Sequence, residues 1–262
     1  MPPARIALWV SSLTGVALLA RALVVGPPPL WVAIVARAAY LSFIAAGIVL
    51  PQLEMFGDVI WRGAIGRQRL ALTFDDGPHP VTTRAVLELL ARRGHKATFF
   101  VLGQKALLFP DVVREIHQAG HTLGVHGHSH PWLYALRPPR VVAEDIARAQ
   151  AAVERAAGVR PHLFRPPIGR VSPRVAAGAR RAGVVTVAWT VRGLDGVSMT
   201  RPEDVMRRVS KKLRDGAIVL LHDAAEEGDF EPASVQCLPR LLDEIERRGL
   251  TTVGADEFAR EA

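Results

Sequence analysis

The sequence has only one cysteine, Cys237, among its 262 residues. A single thiol excludes an internal disulfide, a cysteine-based zinc site and a dithiol redox couple. Cys237 lies among Val235, Leu238 and Leu241 in a helical pattern, which predicts simple packing rather than reactivity. Metal binding by this chain would therefore depend on carboxylate oxygens and imidazole nitrogens.

The chain also lacks a run of basic residues, although its formal net charge is +8 and its isoelectric point is near 10.6. The excess comes from arginines scattered along the sequence. Such a diffuse charge favours anionic surfaces, such as phospholipid head groups or acidic polymers, and we do not expect a nucleic-acid partner. The length and the 49% of hydrophobic residues allow one large domain plus an appendage.

The first sixty residues contain very little charge. Residues 6–20 carry none, and residues 30–53 carry only Arg37. Each stretch approaches the roughly 20 residues needed to cross a bilayer, and the proline-rich residues 26–29 lie between them. A signal peptide would explain only the first stretch, and no cleavage site followed by polar sequence is evident. We therefore predict a membrane-anchoring transmembrane hairpin over residues 1–57, with a single span, a surface-lying pair or two buried soluble helices as alternatives.

This hairpin predicts a location at a cell membrane, with the lipid bilayer as a partner. The N-terminus and several arginines before residue 70 lie on one side of the hairpin, whereas Arg21 and Arg37 lie near its turn. The count weakly favours both termini in the cytoplasm. Because the two arginines near the turn can snorkel, the membrane face of the remaining chain stays open.

Residues 58–262 are predicted to form a second domain of α/β class. Seven short apolar runs predict strands at residues 70–74, 97–102, 122–125, 162–164, 184–189, 217–221 and 250–253. Helical spacing predicts helices at residues 82–93, 110–119, 139–157, 172–182, 202–214 and 234–248. The alternation predicts a parallel sheet covered by helices, and in a closed barrel the chemistry belongs to the loops after the strands.

Two carboxylates follow the first of these strands, in the segment Thr73-Phe74-Asp75-Asp76-Gly77-Pro78. If the strand ends at Phe74, Asp75 and Asp76 point to different sides of the backbone. One could then bind a metal while the other accepts a proton. Adjacent aspartates before Gly-Pro are more often a solvated turn, so this pair needs support from other residues.

A pair of histidines, His126 and His130, follows about fifty residues later. They could converge on one ion if the chain turns helically after the strand at residues 122–125. One carboxylate oxygen with two imidazoles suits zinc, with cobalt, manganese or iron as lesser options. An isolated pair of this spacing is weak evidence, and His128 between them leaves a shifted choice of ligand open.

Five ordered motifs resemble those of the NodB-type polysaccharide deacetylases, carbohydrate esterase family 4. They are Thr73-Phe74-Asp75-Asp76-Gly77-Pro78, His126 to His130, Arg165-Pro166-Pro167-Ile168-Gly169, Trp189 to Asp195, and Leu220-Leu221-His222. The resemblance extends from about Leu70 to Phe258 and excludes the first sixty residues. It implies a distorted (β/α)7 barrel, in agreement with the seven predicted strands.

The resemblance also assigns roles. It implies that Asp76, His126 and His130 bind a divalent metal, and that Asp75 is the general base that deprotonates the attacking water. Arg165 would orient Asp75 and keep it ionised.

For the departing amine, the resemblance implies that His222 is the general acid and that Asp195 holds its ring. The backbone N–H of Ile168 would face the oxyanion, and Leu220 would line the acyl pocket. The family usually has tyrosine at position 168 and tryptophan at position 196, where this chain has Gly196. Trp189 or Trp132 could supply the missing wall of the sugar groove.

These expectations describe a metal-dependent hydrolase that removes N-acyl groups, with acetyl expected, from amino sugars of a polysaccharide or glycan. One alternative is a deacylase or deformylase of a polyprenyl-linked amino sugar. Another is a non-catalytic carbohydrate-binding membrane protein, favoured by the departures at Ile168 and Gly196. An acidic loop of Glu226, Glu227 and Asp229 follows His222 and could border the substrate site.

Overall fold

The computed structural model describes residues 1–226, 228 and 230–261, so Glu227 and Asp229 of the acidic loop lie outside the described residues. Two long helices come first, α1 (Pro3–Val25) and α2 (Leu30–Val49). By length and composition both could cross a membrane. None of the residues of α1 is buried, and Gly47 is the only buried residue of α2. The exposed apolar surface contradicts the alternative of two buried core helices.

The start of α1 and the end of α2 both contact the rest of the chain. Near the start of α1, Arg5 Nη2 donates to Asp58 Oδ1 at 2.8 Å. At the end of α2, Ile48 O accepts from Val171 N at 3.1 Å. Just beyond it, Gln52 Nε2 donates to Trp189 O at 2.8 Å. The proline-rich connection therefore lies at the far end of the pair, away from the remaining chain.

The rest of the chain alternates strands and helices, as predicted. The strands are β1 (Val59–Ile60), β2 (Arg69–Asp75), β3 (Ala97–Val101), β4 (Thr122–Val125), β5 (Leu163–Phe164), β6 (Val185–Val187), β7 (Val191–Arg192), β8 (Ile218–His222) and β9 (Thr251–Thr252). The helices are α3 (Thr82–Arg93), α4 (Gly103–Leu108), α5 (Pro110–Gln118), α6 (Pro139–Ala157), α7 (Pro173–Ala182), α8 (Pro202–Ser210), α9 (Ala233–Arg247) and α10 (Ala255–Glu261). Short 3₁₀ turns span residues 51–53, 134–136 and 167–169.

All strand pairings are parallel, in the order β1-β6-β5-β4-β3-β2-β8-β7, and β9 pairs with β2 outside this path. One continuous stretch, residues 185–192, supplies both β6 and β7. Its first part pairs with β5 and its last part pairs with β8. This stretch therefore curls the sheet into a distorted barrel of the expected class.

Side chains of β2 alternate between the two faces of the sheet. Leu70, Leu72 and Phe74 pack toward the helices, whereas Ala71 belongs to a second apolar cluster with Phe100. All seven residues of β2 are buried, as expected for a strand covered on both faces. By the same alternation, Ala71, Thr73 and Asp75 share the inward face, so the last residue of β2 points into the barrel at its C-terminal end.

The seven strands and six helices predicted from periodicity are all present, with ends shifted by a few residues. The two-residue strands β1 and β7 were not predicted, because two residues show no alternation. The short helices α4 and α10 contain six and seven residues and also lack enough turns to give a periodic signal. The predicted helix at residues 202–214 is too long, since α8 ends at Ser210.

Candidate active site

The C-terminal ends of four parallel strands bring the candidate residues together. Asp75 ends β2 and lies in register with His222 at the end of β8. His126 directly follows β4, and Arg165 directly follows β5. A cavity of ≈ 290 Å³ opens at this edge, and its lining includes Asp75, Asp76, His126, His130, Trp132, Ile168, Trp189, Leu220, His222 and Glu226.

Asp76, His126 and His130 form the one possible metal cluster found among the described residues. Each offers one ligand atom, and these atoms all lie within 4.8 Å of one another. Asp76 Oδ1 is buried without a hydrogen-bond partner and lies 3.6 Å from His126 Nε2 and 3.8 Å from His130 Nε2. An unpaired buried carboxylate oxygen facing two imidazoles fits a divalent cation, because an orphaned acceptor is costly in any other role.

Both histidines are held through the nitrogen that faces away from Asp76. His126 Nδ1 donates to the carbonyl oxygen of Arg165 at 2.7 Å, which leaves Nε2 as the free nitrogen. Burial, followed by the charge of His130, holds the pKa of His126 well below its usual range, so its ring is neutral. His130 Nδ1 contacts the carboxylate of Glu226. Such contacts fix the orientation of metal-binding histidines.

Two residues that support the metal cluster were not predicted to do so from the sequence: Glu226, which contacts His130, and Lys105. Glu226 was expected only to border the site, as part of the acidic loop. Lys105 Nζ donates to the carbonyl oxygens of Asp76 at 2.8 Å and Ala225 at 2.5 Å. It thereby connects the loop that carries Asp76 with the loop that carries Glu226.

The path from His126 to His130 is not helical, contrary to the turn that the sequence suggested. Gly127 has a φ of +86°, a left-handed conformation that glycine adopts readily and that a right-handed helix does not contain. A side chain there would also approach Asp145 Oδ2 to 3.0 Å. The backbone N–H of His128 donates to Asp145 Oδ2 at 2.9 Å, and His128 is not part of the cluster. A shift of the ligand set to His128 therefore has no support.

Asp75 is the carboxylate left outside the cluster. Its Oδ1 accepts a 2.7 Å hydrogen bond from Arg165 Nη1, which also donates to Thr73 Oγ1 at 2.8 Å. Arg165 is fully buried, and its guanidinium lies 4.2 Å from the ring centroid of Phe100. Burial raises the pKa of Asp75 to about 6, against the lowering effect of Arg165. The pKa of Asp75 thus lies above its usual value although Arg165 favours the ionised form, and its Oδ2 lies 3.9 Å from His126 Nε2.

His222 lies beside Asp75 on the neighbouring strand β8, and Asp195 fixes its ring. Its Nδ1 is 3.1 Å from Asp195 Oδ1, and its backbone N–H donates to Asp195 Oδ2 at 2.8 Å. Burial opposes the imidazolium, but the charge and hydrogen bond of Asp195 prevail and raise the pKa of His222 to about 10. The Nε2 atom faces the cavity, 3.8 Å from Asp76 Oδ2. His222 is therefore protonated at neutral pH.

The two positions that depart from the family pattern both adjoin the proposed site residues. A Cβ added at Gly196 would lie 3.0 Å from the His222 ring, so this backbone packs directly against the imidazole. Ile168 has φ 59° and ψ 3°, a left-handed conformation that costs a β-branched residue about 1–3 kcal/mol. Its backbone N–H donates to His130 Nε2 at 3.3 Å, on the side of the ring that faces Asp76.

Two tryptophans and a leucine complete the walls of the cavity. Trp189 packs directly on the backbone of Gly169, where an added Cβ would lie 2.1 Å from the indole. Trp132 is 70% exposed at the rim, whereas Leu220 is buried. Both tryptophans that the sequence offered for the sugar groove therefore line this cavity.

The polysaccharide deacetylase family model matches residues 62–187. A peptidoglycan-N-acetylglucosamine deacetylase of Bacillus cereus is 34% identical over 216 residues, which span 81% of this chain and 98% of that protein. The chain belongs to the polysaccharide deacetylase family. A chitooligosaccharide deacetylase of a Bradyrhizobium species is 32% identical and covers 74% of this chain and 90% of that protein.

Comparison of the fold with solved structures also supports membership of this family. A crystal structure of a peptidoglycan N-acetylglucosamine deacetylase has a TM-score of 0.70 with 28% identity, covering 76% of this chain and 92% of that one. The resemblance and the barrel class are therefore confirmed. As a polysaccharide deacetylase, the chain is a hydrolase that acts on amide bonds. The matched residues 62–187 include Asp75, Asp76 and Arg165 but end before Asp195 and His222.

We expect Glu226→Gln to weaken zinc or cobalt binding by about 10-fold, because an amide orients and polarises His130 less well than a carboxylate does. Isothermal titration of the full-length, chelator-treated protein measures this directly. Glu144→Gln, an exposed change on α6, is the matched control and should bind metal like the wild type. Equal affinities of all three proteins would show that Glu226 has no such role.

Proposed function

We propose that this protein is a membrane-anchored, divalent-metal-dependent enzyme that removes N-acetyl groups from amino sugars of a glycan. Residues 1–57 form the anchor, and residues 58–262 form the catalytic domain. The observation that carries the proposal is that Asp75 and His222 line the same cavity as the Asp76, His126 and His130 cluster and each lies within 4 Å of one of its members. Asp75 Oδ2 is 3.9 Å from His126 Nε2, and His222 Nε2 is 3.8 Å from Asp76 Oδ2. The named activities of the relatives, on peptidoglycan and chitooligosaccharides, support the substrate class.

Asp76, His126 and His130 would hold the cation, with zinc as the first choice and cobalt, manganese or iron as lesser ones. A divalent cation bound there lowers the pKa of water and polarises a carbonyl oxygen. Asp75 accepts the proton of the attacking water through Oδ2, since Oδ1 is engaged by Arg165. A base with a pKa of about 6 is ionised at neutral pH and still basic enough for this transfer.

His222 serves the departing amine. Its imidazolium donates the Nε2 proton to the amide nitrogen as the carbon–nitrogen bond breaks, which releases an amine rather than an unstable anion. Asp195 keeps the ring oriented through Nδ1 and stabilises its positive charge. Asp75 thus acts on the attacking water, whereas Asp195 acts on the departing amine through His222.

The backbone N–H of Ile168, which donates to His130 Nε2 at 3.3 Å, would serve the developing oxyanion once that nitrogen holds the cation. A well-placed donor of this kind contributes roughly 3 kcal/mol to transition-state stabilisation. Leu220 and Trp189 bound a small apolar region beside it, which suits a short acyl group. Because the donor belongs to the backbone, replacement of the family's tyrosine by isoleucine preserves it.

The apolar helices α1 and α2 support the anchoring part of the proposal. They expose large hydrophobic side chains along their length, including Leu13, Leu19, Leu23, Trp31 and Ile34. Burial of such a surface in lipid is favourable by about 25 cal/mol per Å² of apolar area removed from water. The bilayer is therefore the proposed partner of this segment.

We expect the zinc-loaded full-length protein to release acetate and an equal amount of free amine from N-acetylated glycans. N-acetylglucosamine oligomers and N-acetylated peptidoglycan are the substrates to compare, with N-formylated sugars as a second acyl class. Enzymatic detection of acetate or formate gives the measurement. Failure to release acid from every substrate in this panel would refute the proposed hydrolysis.

A non-catalytic glycan-binding protein is the alternative from another class. It rests on the departures at Ile168 and Gly196, whereas the presence of Asp75, His222 and the three proposed ligands in one cavity supports the enzyme. Glycan binding by the metal-loaded protein without acid release would favour this alternative.

A further inference from the structure

A second cavity, of ≈ 710 Å³, lies between the end of α2 and the active site. Val49 and Leu50 from the end of the hairpin line one part of it. Trp189, Arg192 and Leu194 line both this cavity and the catalytic one. The two cavities therefore adjoin, and this one leads from the apolar hairpin to the proposed reaction centre.

Five cationic side chains line this second cavity: Arg192, Arg207, Arg208, Lys211 and Lys212. No carboxylate belongs to its lining among the described residues. Arg207 is paired with Asp204 at 2.6 Å, and Arg208 Nη1 donates to the neutral carbonyl of Gly193 at 3.1 Å. In the described part of the chain, Arg192, Lys211 and Lys212 have no ion pair. Most of this positive charge is thus uncompensated.

The packing of α8 explains why the cations collect there. Val205 and Val209 are buried on the inner face of this helix, so the basic residues of its last turn lie on the outer face. Lys211 and Lys212 follow directly and are exposed. A concave surface with several free cations favours a ligand with more than one negative charge.

We infer that this cavity binds the phosphate groups of a lipid-linked N-acyl amino sugar, which is the substrate of the catalytic cavity. The inference rests on the proposed function. The order of the surfaces matches the order of groups in such a molecule. The apolar hairpin would take the prenyl chain, the cationic cavity the phosphates, and the catalytic cavity the sugar. A neutral glycan polymer would leave the cations without a partner. A phospholipid head group would not need a cavity that adjoins the active site.

The test compares two substrates of the full-length, zinc-loaded protein in phosphatidylcholine nanodiscs. One is a neutral N-acetylglucosamine tetramer, and the other is N-acetylglucosamine linked to a prenyl diphosphate. We expect the double variant Lys211→Gln/Lys212→Gln to lower kcat/KM for the diphosphate-linked substrate by about 10-fold or more, mainly through KM. Its kcat/KM for the tetramer should match that of the wild type.

Arg155→Gln/Arg181→Gln is the matched control, since it removes two exposed cations from α6 and α7, which do not line this cavity. Equal losses on both substrates, unchanged values on both, or the same loss in the control would overturn the inference. A further outcome would also overturn it: phosphatidylglycerol in the nanodiscs inhibits the wild type equally on both substrates but does not inhibit the double variant. The cavity would then hold a membrane lipid.

Hydrolysis of neither substrate by the wild type would refute the proposed function rather than the cavity. Calorimetric titration with the prenyl diphosphate alone then decides the question. Tighter binding to the wild type than to Lys211→Gln/Lys212→Gln supports the phosphate site, and equal binding overturns it.

Discussion

Asp75→Asn is expected to lower kcat by about 10²–10⁴-fold, the usual contribution of a positioned general base. An amide cannot accept the proton of the attacking water, although its oxygen can still accept the hydrogen bond from Arg165. Metal affinity should remain close to that of the wild type, because Asp75 does not belong to the ligand cluster. Acetate release under saturating substrate and metal titration of the same protein sample measure the two effects.

The fold should survive this change. Arg165 keeps three other contacts, with Thr73 Oγ1 at 2.8 Å, Ala188 O at 3.1 Å and Val187 O at 3.3 Å. Circular dichroism and thermal unfolding of the variant provide the control. A variant that is folded, metal-loaded and as active as the wild type would exclude Asp75 as the base.

Asp76→Asn should lower metal affinity as well as activity, unlike Asp75→Asn. It replaces the only carboxylate of the cluster with a neutral amide, so we expect metal affinity to fall by more than about 100-fold and activity to fall with it. The adjacent pair makes the comparison unusually direct, since both substitutions remove one charge at constant size in consecutive residues. Metal titration distinguishes the two variants even when neither of them is active.

High metal concentration offers a further discrimination. Partial recovery of Asp76→Asn with added zinc or cobalt would agree with a weakened site, whereas Asp75→Asn should not recover. If Asp76→Asn binds metal as tightly as the wild type, the ligand assignment is wrong, and Asp75 becomes the carboxylate to test as ligand.

Much of the barrel could be predicted because its strands and helices are long enough to show a period. Residues 82–93 and 139–157 were predicted as helices with the boundaries that the structure has. Parallel topology then implied that Asp75 and His222 would lie at one edge, since the ends of parallel strands meet there. The resemblance to known motifs added the roles, which the residues alone could not supply.

Other features depend on tertiary packing that leaves no local signal. The contact between Glu226 and His130 joins residues 96 positions apart, and only the folded loops bring them together. The non-helical path through Gly127 depends on Asp145, which occupies the space beside it. The cationic cavity likewise combines α8 with the end of α2, two segments whose proximity is not evident from periodicity.

The double use of residues 185–192 has a consequence for how the family can vary. Because this single stretch pairs with β5 at its start and with β8 at its end, the three residues between β6 and β7 carry the chain across the point where the sheet closes. An insertion or deletion of one residue there would exchange the inward and outward faces of β7. It would also move Trp189, or the residue that replaced it, away from the cavity. Natural differences in length should therefore accumulate in surface loops such as residues 158–162, while this stretch keeps a constant number of residues.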